Sequence, residues 1–92
     1  MKEDLIKIFA NNLRYYRLES NMTQSELAKK SNLTSKFISD LERASYKPSL
    51  DTISILAEVL GIEPYILLKP NDVRLEYKRL DEKTGRRKPK TK

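Results

Sequence analysis

Apolar residues recur along this chain with the period of an α-helix, and short polar stretches interrupt them. The first run consists of four residues spaced three or four positions apart: Leu5, Phe9, Leu13 and Tyr16. It predicts a helix over about residues 3–19. Two shorter runs follow, over about residues 23–30 and 35–43, and each opens at a threonine that can cap a helix, Thr23 or Thr34. The pattern therefore predicts two short helices joined by a tight turn.

Two more helices complete the predicted domain. Ser49 can cap a fourth helix, and Gly61 is placed to end it. Pro64 suits the first turn of a short fifth helix. Residues 1–69 are thus expected to form one all-α domain of five helices.

Residues 70–92 differ from that domain in pattern and in charge. A strand is favoured by the alternation of Val73, Leu75 and Tyr77 with charged residues. A helical face through Val73, Tyr77 and Leu80 is the alternative. This segment carries nine Lys or Arg against four Asp or Glu, whereas residues 1–69 carry ten against nine. Most of the net charge of +6 therefore lies in a basic C-terminal extension.

Composition removes several classes of function. The chain has no Cys and no His, so disulfides, thiolate nucleophiles, imidazole bases and the commonest zinc ligands are excluded. Its two glycines cannot build a phosphate-binding loop. We therefore expect no enzyme, no metal site and no cofactor. No apolar run is long enough to cross a membrane and the N-terminus builds no signal-peptide core, so we expect a cytoplasmic protein.

The third predicted helix has two contrasting sides. Ile38 and Leu41 share one side and can anchor the helix from within. The opposite side carries Ser35, Lys36 and Ser39. Small polar side chains let a helix approach base edges in the major groove of DNA, and a positive net charge favours a polyanionic partner. These three residues are the predicted base readers; the simpler alternative for Lys36 is a solvated surface lysine.

Residues on either side of that helix can contact the DNA backbone. Thr23 and Gln24 lie at the start of the second helix, where amides and side chains can meet a phosphate. Arg43 and Lys47 follow the third helix and can contact phosphates from its other end. Phe37 can pack against the sugar backbone or a thymine methyl, or it can simply cover the edge of the core. Gln24 likewise has a simpler alternative, which is to satisfy the start of its own helix.

A resemblance to a known family covers about residues 12–68. It rests on seven short motifs: Met22-Thr23-Gln24, Glu26-Leu27-Ala28, Phe37-Ile38-Ser39, Leu41-Glu42-Arg43, Pro48-Ser49-Leu50, Leu56-Ala57 and Leu60-Gly61-Ile62. Together they resemble the Cro/repressor type of helix-turn-helix protein, the XRE-like family. Residues 31–43 look similar to restriction-modification controller proteins. The resemblance implies a lambda-repressor-like DNA-binding domain of five helices.

The resemblance also implies roles for single residues. The base-reading positions of the family match Ser35, Lys36 and Ser39, and its backbone-contacting positions match Gln24 and Arg43.

Further matches concern the structure of the domain. Arg17 and Glu42 match a pair that forms an internal salt bridge between the first and third helices. Two positions depart from the pattern. Ala44 stands where the family often has Gly, which puts the turn after the third helix in doubt. Ser45-Tyr46 replaces a pair that is often basic.

The expected function is a sequence-specific transcriptional regulator that binds double-stranded DNA as a homodimer on a two-fold symmetric operator. The candidate dimer interface consists of apolar residues in and beside the fifth helix: Ile62, Tyr65, Ile66 and Leu68. The alternative is an antitoxin-like or adaptor DNA-binding subunit whose residues 73–80 bind a protein partner. No clustered aromatic platform is evident, which disfavours recognition of single-stranded RNA.

Overall fold

The computed structural model describes residues 4–71, which form five α-helices: α1 (Leu5–Glu19), α2 (Gln24–Ser31), α3 (Ser35–Glu42), α4 (Leu50–Leu60) and α5 (Pro64–Leu68). The predicted all-α class is confirmed, and within residues 4–71 there is no β-strand. The alternatives of a strand or a helical face after residue 72, and of a partner site at residues 73–80, concern residues outside this range.

Hydroxyl caps set the starts of α2, α3 and α4. The Thr23 hydroxyl accepts a hydrogen bond from the Glu26 backbone N–H at 3.0 Å, and the Glu26 carboxylate accepts from the Thr23 N–H at 3.0 Å. The Thr34 and Ser49 hydroxyls each accept from the N–H three residues further on, also at 3.0 Å. Each cap satisfies a donor that the helix itself leaves unpaired. The helix starts therefore follow from local sequence.

The end of α3 differs slightly from the expectation. α3 was predicted to run to Arg43, but it ends at Glu42 and Arg43 is its C-cap. Ala44 then adopts a φ of 58°, in the left-handed region that usually favours glycine. The Ser45 N–H donates to the Asp40 carbonyl at 2.9 Å, so the helix-ending turn is complete. The departure from glycine thus leaves the turn in place, at a cost of about 1 kcal/mol of backbone strain.

The core lies where α1 crosses α3 and α5, and where α4 packs against α2 and α5. The largest side chains in it are fully buried: Phe9, Leu13, Leu27, Ile38, Leu41, Leu56 and Leu67. The apolar stripe predicted on α1 is interior only in its middle, because Leu5 at its start remains 45% exposed. Of the α5 region, Leu67 supplies the buried anchor.

A buried amide fixes the short helix α5 against α1. Asn12 is only 2% exposed, and its Nδ2 lies 3.2, 2.9 and 2.8 Å from the carbonyl oxygens of Ile66, Leu67 and Lys69. Carbonyls at the end of a helix lack partners within that helix, and a five-residue helix is marginal by itself. The Asn12 amide therefore both satisfies the end of α5 and sets its position.

We expect Asn12→Ala to lower the free energy of unfolding by about 2–3 kcal/mol, because three carbonyl oxygens, of which that of Leu67 is in a buried contact, lose a donor and a small cavity remains. Asn11→Ala is the matched control, since Asn11 is the exposed neighbour on the same helix. That control should change the stability by less than about 0.5 kcal/mol. Urea unfolding followed by circular dichroism measures both variants. Equal effects of the two substitutions would contradict the role given to Asn12.

Candidate nucleic-acid interface

Helices α2 and α3 pack against each other with their first residues side by side. Asn32 takes the left-handed conformation that ends α2, with a φ of 62°, and the chain turns at once into the Thr34 cap of α3. The Ser25 and Ser35 hydroxyls lie 3.0 Å apart and share a hydrogen bond. The starts of the two helices are thereby held together at the protein surface.

The outer side of α3 is open to solvent, whereas its inner side is buried in the core. Ile38 and Leu41 are 0% exposed. Ser35 and Lys36 are exposed, and Ser39 is half-buried one turn further along the same side. Eight residues of helix span about 12 Å, which is comparable to the width of the DNA major groove. The structure thus brings the three predicted base readers together on one accessible surface.

The predicted backbone contacts are distributed around this surface in different ways. Arg43 and Lys47 are exposed after the end of α3. Thr23 and Gln24 are half-buried at the start of α2. The Thr23 hydroxyl is used as a cap, and the Gln24 Nε2 donates to Glu42 Oε1 at 3.1 Å. Gln24 is therefore oriented by the neighbouring helix.

Phe37 lies at the edge of the core. It is half-buried, packs against the buried cluster and meets the Tyr46 ring edge to face, with the ring centroids 5.2 Å apart. This is the position expected of the simpler alternative, a side chain that covers the core. Tyr46 itself is 56% exposed, so the pair continues the surface of α3 into the loop before α4.

A nearly buried ion pair joins α1 to the end of α3. Arg17 Nε and Nη2 donate to the two carboxylate oxygens of Glu42, at 2.6 and 2.9 Å. The side chains are only 7% and 3% exposed. Arg17 Nη1 also donates to the Met22 carbonyl at 2.8 Å, in the segment between α1 and α2. This is the pair that the family resemblance implied. Through it, Arg17 connects α1 to the end of α3 and to the segment between α1 and α2.

Sequence reasoning missed one charged residue on α3. The Asp40 carboxylate lies 3.2 Å from Lys36 Nζ and 2.6 Å from Arg43 Nη2. Arg43 Nη1 also donates to the Ser39 hydroxyl at 2.6 Å. The sequence contained a signal for these contacts, because Asp40 is four residues from Lys36 and three from Arg43, and residues at those spacings on a helix are neighbours. Asp40 therefore links Lys36 to Arg43, and Arg43 in turn contacts Ser39.

Other kinds of site are not apparent in the described part of the chain. Residues 4–71 contain no group of three or more acidic, His or Cys side chains that could hold a metal ion. Among the same residues, no helix is long and apolar enough to span a lipid bilayer.

Comparison with known proteins shows that this chain is similar to proteins of known family. A family model described as helix-turn-helix matches residues 13–67. The control protein C.BamHI of Bacillus amyloliquefaciens is 38% identical over 69 residues, which are 74% of this chain and 85% of that protein.

Two solved structures are also similar. A hypothetical transcription factor from Neisseria superposes with a TM-score of 0.71 at 34% identity, over 73% of this chain and 77% of that one. The restriction-modification controller protein C.AhdI from Aeromonas hydrophila gives a TM-score of 0.65 at 34% identity, over 67% of this chain and 90% of that one. The helical arrangement around α2 and α3 is thus shared with described regulators.

We expect Glu42→Ala to destabilise the fold by about 3–5 kcal/mol, because it leaves the buried Arg17 guanidinium without its counter-charge. Glu58→Ala, at an exposed position of α4, is the control and should have little effect. Replacing both partners by apolar residues, as in Arg17→Met with Glu42→Leu, should recover most of the loss. Urea titration measures all three proteins, and a double variant that is less stable than Glu42→Ala would refute this account.

Proposed function

Since the chain belongs to the helix-turn-helix family of DNA-binding regulators, we propose that it is a sequence-specific transcriptional regulator that binds duplex DNA as a homodimer on a two-fold symmetric operator. The family membership confirms the resemblance found in the sequence, which extended to restriction-modification controller proteins. The relatives are described as transcription factors or control proteins, and we propose no catalytic activity for this chain.

The observation that carries the proposal is the contrast between the two sides of α3. Its inner side chains, Ile38 and Leu41, are completely buried, so the helix cannot rotate without opening the core. Its outer side presents two hydroxyls and an ammonium group on short or flexible side chains. In the proposed complex, Ser35, Lys36 and Ser39 meet base edges in the major groove, and hydroxyl and amino donors of this kind pair with the acceptors of the bases.

Contacts to the DNA backbone would set the register of that helix. We assign them to side chains around α3 and at the start of α2, namely Thr23, Gln24, Arg43 and Lys47, while Phe37 covers the edge of the core. Arg43 and Lys47 carry the charge for phosphate binding, and both are exposed. Gln24 has one amide hydrogen engaged by Glu42, which leaves the second available for a phosphate oxygen. Contacts of this class give affinity and orientation, while the base contacts give sequence preference.

The size of this surface supports the proposal of a homodimer. One eight-residue helix reaches only a few base pairs, and specific recognition by such domains uses two half-sites about 34–36 Å apart. The candidate interface remains Ile62, Tyr65, Ile66 and Leu68. Three of these side chains are half-buried within one copy of the chain, whereas Tyr65 is 63% exposed. Tyr65 is therefore the residue most available to a second copy, and tyrosine is enriched at protein interfaces.

Selection of bound sequences from a random duplex pool tests the proposal directly. We expect the unaltered chain to recover a motif with two-fold symmetry. Selection with Lys36→Ala should give the same motif with one position of each half-site degenerate, because one base contact of about 1–3 kcal/mol is lost. Lys7→Ala removes the same charge from an exposed position of α1 and should leave the motif unchanged. An identical motif from all three proteins would refute the assignment of α3 as the reading helix.

Sedimentation velocity tests the interface separately from DNA. Tyr65→Arg should shift the chain from dimer to monomer without unfolding it, because the side chain is already largely exposed in a single copy. Leu50→Arg is the control, since Leu50 is 81% exposed and lies at the start of α4, outside the proposed patch. A dimer that survives Tyr65→Arg, or that is lost equally in Leu50→Arg, would place the interface elsewhere.

A further inference from the structure

The outer side of α3 contains an acid among its positive charges. Lys36 and Arg43 are 83% and 62% exposed as side chains, whereas the Asp40 side chain between them is 20% exposed. Both cations contact its two carboxylate oxygens, one each. The three residues together carry a net charge of only +1. A surface proposed to bind a polyanion is thus partly neutralised from within.

We infer that Asp40 determines selectivity on this surface, by restraining Lys36 and Arg43 so that they engage an operator in a fixed geometry and bind other duplexes poorly. The inference rests on the proposed function and adds to it a residue that makes no assigned DNA contact itself. Asp40 is in this sense a positioning residue, since it acts through its two neighbours.

The first step of the argument concerns DNA of the wrong sequence. Binding to such DNA depends almost entirely on cations that neutralise phosphates. For Lys36 or Arg43 to do this freely, each must leave the Asp40 carboxylate, which also repels any phosphate that approaches it. Asp40 therefore weakens the sequence-independent part of binding.

The second step concerns the operator. A lysine that reads a base must be held at one place, yet its four-carbon side chain is flexible and 83% exposed. The contact of 3.2 Å to Asp40 restricts it along the helix axis. Arg43 is restricted more strongly, because the Ser39 hydroxyl and Asp40 accept from two different nitrogens of its guanidinium, each at 2.6 Å. Because these contacts already order Lys36 and Arg43 in the free protein, binding to the operator costs less side-chain conformational entropy. Loss of Asp40 therefore brings no gain in affinity for the operator.

Asp40→Asn is the variant that separates these effects, because it keeps the side-chain size and removes the charge. The matched control is Asp4→Asn, which removes the same charge at the N-cap of α1, where Asn also caps well. Thirteen residues of helix, about 20 Å, separate Asp4 from Arg17, the residue of α1 that contacts the end of α3. Thermal melting of the free proteins verifies that both variants are folded.

Binding is measured on two duplexes of equal length: the consensus recovered from the random pool by the unaltered chain, and a shuffled version of it. Asp40→Asn should bind the shuffled duplex about three- to tenfold more tightly, with a salt dependence steeper by about one phosphate contact. Its affinity for the consensus should not rise, so the ratio of the two affinities falls. Asp4→Asn should leave that ratio and the salt slope unchanged. Asp40→Glu keeps the carboxylate and should therefore retain most of the affinity ratio of the unaltered chain.

The outcomes distinguish this inference from the proposed function. If Asp40→Asn strengthens binding to both duplexes equally, or changes the ratio no more than Asp4→Asn does, Asp40 has no selective role, while the preference of the unaltered chain for its consensus still supports a DNA-binding regulator. If the unaltered chain selects no duplex at all, the proposed function is refuted and the role of Asp40 with it.

Discussion

The carboxylate of Glu42 is the point on which the arrangement of the helices depends. It accepts two hydrogen bonds from Arg17 and one from Gln24, and Arg17 in turn donates to the Met22 carbonyl. One anion therefore joins α1, the segment that leads into α2, the first residue of α2 and the last residue of α3. A buried ion pair adds little net stability compared with apolar packing, but it permits only a narrow range of geometries. The Arg17–Glu42 pair therefore acts mainly on the orientation of α3.

Orientation matters because α3 is short. Two completely buried side chains, Ile38 and Leu41, hold it in the core, and two polar contacts fix its ends. At the start, Ser35 shares a hydrogen bond with Ser25 of α2, and at the end Glu42 is held by Arg17. A helix that is fixed at both ends and along one side presents its other side at a defined angle. The outer side chains can then be small, since their placement comes from the backbone beneath them.

The sequence predicted those features that have local causes. Thr23, Thr34 and Ser49 indicate helix starts, because the backbone N–H that each hydroxyl caps lies only three residues further on. All three helices begin where the pattern predicted. Asn12 gave no such signal. Its partners lie more than 50 residues away in the chain, so its burial depends on where α5 packs. Arg17 and Glu42 are 25 residues apart, and only the family resemblance connected them beforehand. Asp40 was within reach of local reasoning through its spacing, but which cations it contacts depends on their side-chain conformations.

The distribution of charge suggests how affinity and selectivity are divided in the proposed regulator. Residues 1–69 carry ten basic and nine acidic side chains, whereas residues 70–92 carry nine and four. The net positive charge of the chain therefore comes mainly from residues 70–92, and attraction of this kind acts over about 10 Å at moderate salt without regard to DNA sequence. The helical domain, nearly neutral and with Lys36 and Arg43 already paired to Asp40, contributes little to that attraction. A surface with this balance gains most from contacts that depend on geometry, and geometry is what the Glu42 network supplies.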